Sequence, residues 1–446
     1  MSAANGGGEA FAEELARRLD ARPSSDGAEV VGWRFDLSES RSIRAGLKDS
    51  RLGGPYDPPS LADGTGGGIY LIWSDAQQTY ANVDVLALEE FGERVADWRL
   101  NAFADPYAPP ILPPAQFPSV QTYDPNVVEI LEGRTAEFFD LLRQALEAGR
   151  ASGAQVVDAG VGAGEGTRFL YSSSGLRLSY PETSFSFWLS ADDLYSRGFG
   201  KRRVIEADEV AELLEDVCET TAALRSDGSL ESGVLPIVLP PGESGSFLGH
   251  YLGSNLSGAA VVNGHSAYTL DDFRQSKQVV RADLRLRVDT LLALEGAATP
   301  ATSEGVPGGQ VDLVRDGRLL TPLLDLKYAA RASMPPTPLP RGGPGMLVET
   351  ERLLDRPDAL LAGVERGLYV YSVLGMHTQD SSSGRYSLVA SQARPIRNGR
   401  LLDGKVKAVL AGDFFEHLRD DGTLFARFPH EWTPGMRVLS NVSVES

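Results

Sequence analysis

The chain is short of the residues that build redox and metal chemistry. Its 446 residues contain one cysteine and five histidines. A single thiol, Cys218, allows no intramolecular disulfide and no cysteine-based zinc cluster. It lies in the run from Val210 to Cys218, whose apolar residues repeat with helical period, so a buried structural thiol is expected rather than a nucleophile. Bases are also scarce: 42 Lys and Arg against 61 Asp and Glu leave a net charge of −19. That balance argues against a nucleic-acid backbone or an anionic membrane surface as the main partner, and it suits a groove for neutral or basic peptides. No run reaches the roughly 18 apolar residues that a membrane span requires. The start, Met1-Ser2-Ala3-Ala4-Asn5, opens neither a basic segment nor an apolar one, so the expected setting is cytoplasmic.

What is present is ordinary globular composition, 42% hydrophobic and 8% aromatic, enough for two or three domains. Apolar spacing predicts helices over 9–21, 85–100, 127–149, 207–224 and 244–262. Strands are expected over 30–37, 42–47, 69–73, 155–158, 166–172, 176–180 and 183–190, the last with Phe185, Phe187 and Leu189 on one face. Gly66-Gly67-Gly68 reads as a turn, 105–125 as an extended proline-rich connection, 226–233 as a hinge and 331–345 as a long loop. Further strands follow over 235–239, 282–288, 310–315, 318–324, 367–375, 386–394, 397–402 and 405–410, with Asn398-Gly399 as a two-residue hairpin turn. Helices and strands in this order predict an α+β protein of two domains, the second built on a large, mainly antiparallel sheet.

Two chemical motifs are weak. Val156 to Gly166 resembles the glycine loop of nucleotide- or S-adenosylmethionine-binding folds, but such a loop must open a helix whose amides meet the ligand. Here Thr167-Arg168-Phe169-Leu170-Tyr171 alternates like a strand. An S-adenosylmethionine-dependent methyltransferase is thus a remote alternative, and a strand after Gly166 counts against it. Gly242-Glu243-Ser244-Gly245-Ser246 does not have the phase of a hydrolase elbow, and Ser244 reads as a helix N-cap.

The stronger signal is an ordered set of segments. Gly367 to Asp380, with the core Leu374-Gly375-Met376-His377-Thr378, is followed by Ser383-Gly384-Arg385-Tyr386-Ser387-Leu388, then Ile396 to Arg400 and Val406 to Gly412. Upstream stand Ser40 to Arg44, Ser172 to Tyr180, Glu304-Gly305-Val306-Pro307 and Pro322 to Ala330. Together these resemble the TldD/PmbA (TldD/TldE) family, closest to the PmbA/TldE branch. The resemblance implies a tip and first helix over 1–25, an N-terminal TldD/PmbA-like domain over 26–230 and a C-terminal one over 231–446.

In the TldD branch a helix carries H-E-x-x-x-H, with a later cysteine as a further ligand. Aligning the shared frame through Phe247 to Gly258 puts Gly249 at the first histidine, His250 at the glutamate and Ser254 at the second histidine. Catalytic zinc needs about three protein ligands and an open position. Glycine offers no donor, serine is a poor one, and no cysteine follows Cys218. The resemblance therefore implies a subunit with no cofactor and no catalytic residue of its own, zinc being held by a TldD-like partner. The pair would process unfolded or modified peptides. A self-dimer acting as a self-sufficient peptidase or peptide-modifying enzyme is the alternative. His250, His377, Thr378 and Gln379 are the expected cavity or substrate contacts, and His250, His265 and His377 the one candidate for a new metal site.

Overall fold

The computed structural model describes residues 7–53, 59–340 and 346–445. The N-terminal half is one antiparallel sheet with the strand order Phe103–Ala104, Gln77–Asp84, Ser60–Trp73, Ala28–Lys48, Val157–Ser172, Arg177–Ala191, Tyr195–Lys201. Ala28–Lys48 is long enough to be covered twice. Its Trp33, Phe35 and Leu37 meet Phe11, Leu15 and Leu19 of the helix Gly7–Asp20. Further along the same face, Ala45 and Leu47 meet Phe138 and Leu142 of the helix Thr135–Ala151 and Val210, Leu213 and Val217 of the helix Ala207–Leu224. Because side chains alternate, the opposite face of the two central strands is polar and presents Arg34, Asp36 and Arg168.

Several expected breaks are absent. Gly66, Gly67 and Gly68 lie within the strand Ser60–Trp73, not in a turn. A Cβ on Gly67 would overlap the Asp36 carbonyl on the neighbouring strand, so glycine is required there for close approach rather than for reversal. The run Val156 to Gly166 belongs to the continuous strand Val157–Ser172, and no helix opens after it. Gly160 and Gly198 flank Trp188 on the adjacent strands, and a Cβ on Gly160 would overlap the indole. The short strands expected over 155–180 are thus two long ones. Conversely, the helix expected over 85–100 breaks at Glu90, and that over 127–149 breaks at Gly133. Asp124 caps the latter, accepting from the Asn126 N–H at 3.0 Å. The 226–233 segment is not a free hinge: Lys405 donates to the Ser226 carbonyl at 2.7 Å and accepts from Gly228 at 2.9 Å.

In the C-terminal half, Gly233–Leu239, Arg366–Leu374, Arg385–Arg397, Ala408–Asp413 and Gly435–Val444 pair in turn. The first also pairs with the last, so these five strands close into a ring. One pairing, Gly233–Leu239 with Arg366–Leu374, is parallel; the other four are antiparallel. Asn398 and Gly399 both have positive φ, as the two-residue hairpin requires. A separate four-stranded sheet is formed by Leu284–Asp289, Gln310–Arg315, Arg318–Leu319 and Met346–Thr350. The strand expected over 318–324 is therefore only its first two residues. The halves meet through buried ion pairs, Arg34 with Glu304 at 2.7 Å and Lys201 with Glu295 at 2.9 Å.

Candidate functional site

The helix that would carry a metal motif is present. It starts after Pro240, runs as an α-helix over Pro241–Phe247 and passes into a π-helical turn over Leu248–Gly253. Its buried side is aromatic: Phe247 packs against Tyr386 and Phe414 at 5.3 and 5.6 Å, and Tyr251 against Phe414 at 5.3 Å. Ser244 is inside this helix and does not cap it; its hydroxyl donates to the Pro434 carbonyl at 2.5 Å.

The π turn sets the geometry. The Ser254 N–H bonds to the Gly249 carbonyl at 3.1 Å, an i to i+5 link, so positions 249 and 254 stand one turn apart on one face. In a regular α-helix five steps would rotate them apart by about 140°. The backbone thus retains the spacing that a pair of histidines would use. Gly249 and Ser254 are both exposed, and a Cβ added at Gly249 meets nothing within 4 Å.

His250 points elsewhere. Half-buried, its ring stands edge-on to Tyr251 at 4.7 Å, and its Nε2 donates to the Gln379 carbonyl at 3.2 Å. Asn255 repeats the clamp, donating to the Ser381 carbonyl at 2.8 Å. The loop so held runs between Gly375 and Gly384, both in left-handed conformation, and joins the hairpin strands Arg366–Leu374 and Arg385–Arg397. Within it, Thr378 donates to the Gly375 carbonyl at 2.8 Å, and Gln379 Oε1 accepts from the Ser387 N–H at 3.0 Å. His377 and Thr378 are exposed at the tip. The structure therefore brings His250 and Gln379 together, but not His250, His265 and His377. Among the described residues no three His, Cys, Asp or Glu side chains are grouped to hold a metal ion. Of the three positions, Gly249 has no side-chain donor, His250 is engaged with a carbonyl and Ser254 offers a hydroxyl.

Two features escaped the sequence reading. Glu304 ties three elements, pairing with Arg34 and accepting the Leu326 N–H at 2.8 Å at the start of the helix Leu326–Ala332. Burial pushes its carboxyl up, against the opposing pull of Arg34. Arg34 also stacks over Tyr70 at 4.4 Å, on the wall of a groove of about 910 Å³ between the halves. Glu243, in the first turn of the 241–253 helix, has a carboxyl pushed up to about 7 by burial, and its Oε2 has no hydrogen-bond partner. A carboxylate in the first turn of a helix passes for a dipole-compensating residue in sequence; only the strand packed beside it reveals the burial.

Residues 232–427 match the family model of the PmbA/TldA metallopeptidase C-terminal domain. That match places the C-terminal half in the TldD/PmbA family. A curated relative, the metalloprotease slr0863 of Synechocystis sp., is 24% identical over 237 residues, covering 50% of this chain and 48% of the relative. The aligned part thus spans about half the length of that relative. TldE from Thermococcus kodakarensis superposes with a TM-score of 0.78 at 16% identity, covering 98% of this chain and all of that one, 100%. A Thermotoga maritima protein named as a DNA gyrase modulator gives 0.76 at 20% identity, covering 97% and 99%. The fold is the two-domain α+β fold of TldD/TldE/PmbA proteins, and it is metallopeptidase-like. No helix among the described residues is long and apolar enough to cross a membrane.

Proposed function

We propose that this chain is the non-catalytic, TldE-like subunit of a two-component metallopeptidase. One observation carries the reading. The helix keeps the π turn that would set two ligands on one face, yet it presents Gly249 and Ser254 there and turns His250 inward. A catalytic zinc site needs about three protein donors and a water position. In this reading a TldD-like partner supplies the metal and the general base. This chain supplies a wall of the chamber, contacts to unfolded or modified peptides, and the surface on which the partner sits. The likeness to the Thermococcus TldE over nearly the whole chain supports the same reading at the level of fold.

The test is reconstitution. Purified alone, the chain is expected to leave an unfolded peptide uncut. Mixed with a family member that carries intact H-E-x-x-x-H, it is expected to raise the hydrolysis rate, and substitution of the partner's glutamate by glutamine should abolish the rate. Sustained turnover by this chain alone would overturn the proposal and favour the self-sufficient homodimer.

A further inference from the structure

A second cleft, of about 880 Å³, lies where the N-terminal sheet ends against the C-terminal ring. Four consecutive residues, Tyr195, Ser196, Arg197 and Gly198, line it. A strand shows only alternate residues on a face, so a consecutive run means that its edge is presented. Tyr195–Lys201 is the last strand of its sheet, and its outer backbone groups have no strand partner among the described residues. Such an edge is a template for an extended peptide.

The cleft is also acidic beyond its own needs. Arg197 is occupied by Glu212 and Asp216 at 3.2 Å and by Glu431 at 3.4 Å, and Arg394 by Asp403 at 3.0 Å. Glu215, Glu219 and Glu243 also line the cleft, and none of them has a basic partner within 4.0 Å among the described residues. The helix Ala207–Leu224 places Glu212 with Asp216 and Glu215 with Glu219 at i, i+4, spacings at which like charges repel. Beside them is a row of rings: Tyr371 lies 4.8 Å from Tyr369 and 5.1 Å from Tyr195. Tyrosine faces next to uncompensated carboxylates attract a cation by both ring quadrupole and charge.

We propose that this cleft binds an extended basic peptide, with its backbone along the Tyr195–Gly198 edge and a lysine or arginine side chain between the tyrosines and the Glu215 and Glu219 carboxylates. The inference rests on the cleft and not on the subunit assignment, because the isolated chain suffices to show it. The probes are a blocked peptide, acetyl-Gly-Lys-Lys-Gly-amide, and the same peptide with both lysines acetylated, titrated calorimetrically into the full chain. The lysine peptide is expected to bind at least about tenfold more tightly than the acetylated one. Glu215→Gln with Glu219→Gln should remove most of that preference, about tenfold, and so should Tyr371→Leu, both with unchanged thermal midpoint. Glu89→Gln with Glu93→Gln, exposed carboxylates on another surface, should leave it intact. Equal binding of the two peptides, or equal loss in the remote pair, would overturn the proposal in favour of general attraction to an acidic protein. Should Tyr371→Leu unfold the chain, the glutamine pair, which removes only exposed charges, still decides.

Discussion

The imidazole of His250 and the main-chain carbonyl of Gln379 are hydrogen-bonded at 3.2 Å, between a helix and a loop 129 residues apart in sequence. The carbonyl has no proton, so Nε2 is the donor. In this chain the side chain at position 250 holds a loop. Asn255 strengthens the clamp, since its Oδ1 accepts the Ala267 N–H at 2.6 Å while its Nδ2 serves Ser381.

Removing the clamp should loosen the 375–384 loop before it unfolds the chain. His250→Ala is expected to cost about 1 kcal/mol, the net worth of one hydrogen bond. Asn255→Ala should cost about 1–3 kcal/mol, because buried partners are left unpaired. Urea unfolding measures both. Amide hydrogen exchange should show faster opening at 379–383 in each variant while the ring strands stay protected.

Grafting the missing ligands tests the alignment of the helix. With Gly249→His, His250→Glu and Ser254→His together, the open space at 249 should admit the new ring without loss of fold. Two imidazoles one turn apart should then bind zinc measurably but weakly, because the third protein donor is still lacking. Competition with a chromogenic chelator reads the affinity. Tight stoichiometric binding would reveal a further donor and place the alignment in error.

Glu243 gives a pH signature. Burial raises its carboxyl to about 7, so between the unfolded value of 4.5 and that point the folded chain binds more protons than the unfolded one. Stability from this group is fully present below the unfolded value and is lost as pH rises through about 7. Glu243→Gln should therefore match the parent near about pH 4 and exceed it by about 1–3 kcal/mol near about pH 8.5. Urea midpoints at the two pH values check this; no pH dependence of the difference would contradict the buried placement.

Arg34 and Glu304 offer a test of how the halves are joined. Their side chains are 7% and 17% exposed, and breaking one side leaves a buried charge. Arg34→Ala should cost about 3–5 kcal/mol, and replacing both by apolar residues should cost less than the single change. A double-mutant cycle in thermal or urea unfolding separates the two outcomes.

Much of this architecture was legible before the structure. The helix Ala207–Leu224 and the strand Gln310–Arg315 have the bounds that their spacing predicts, because periodicity, caps and packing agree there. The Asn398-Gly399 turn was readable from local chemistry alone. The glycine misses share a cause: Gly66, Gly67, Gly160 and Gly166 serve close contact between strands, and a glycine run alone does not distinguish that from a turn. The π turn at 248–253 and the clamp from His250 to Gln379 depend on a loop far along the chain. The Arg34–Glu304 pair and the cleft around Glu243 arise only when the two halves meet, so no single segment carries their signal.

The central claim is that the helix carrying Gly249, His250 and Ser254 holds no metal. Elemental analysis of the isolated chain, after dialysis against a weak chelator, tests it most directly. The account predicts zinc far below one equivalent, unchanged by Ser254→Ala. One tightly bound ion per chain, lost on substituting His250 or Ser254, would contradict it.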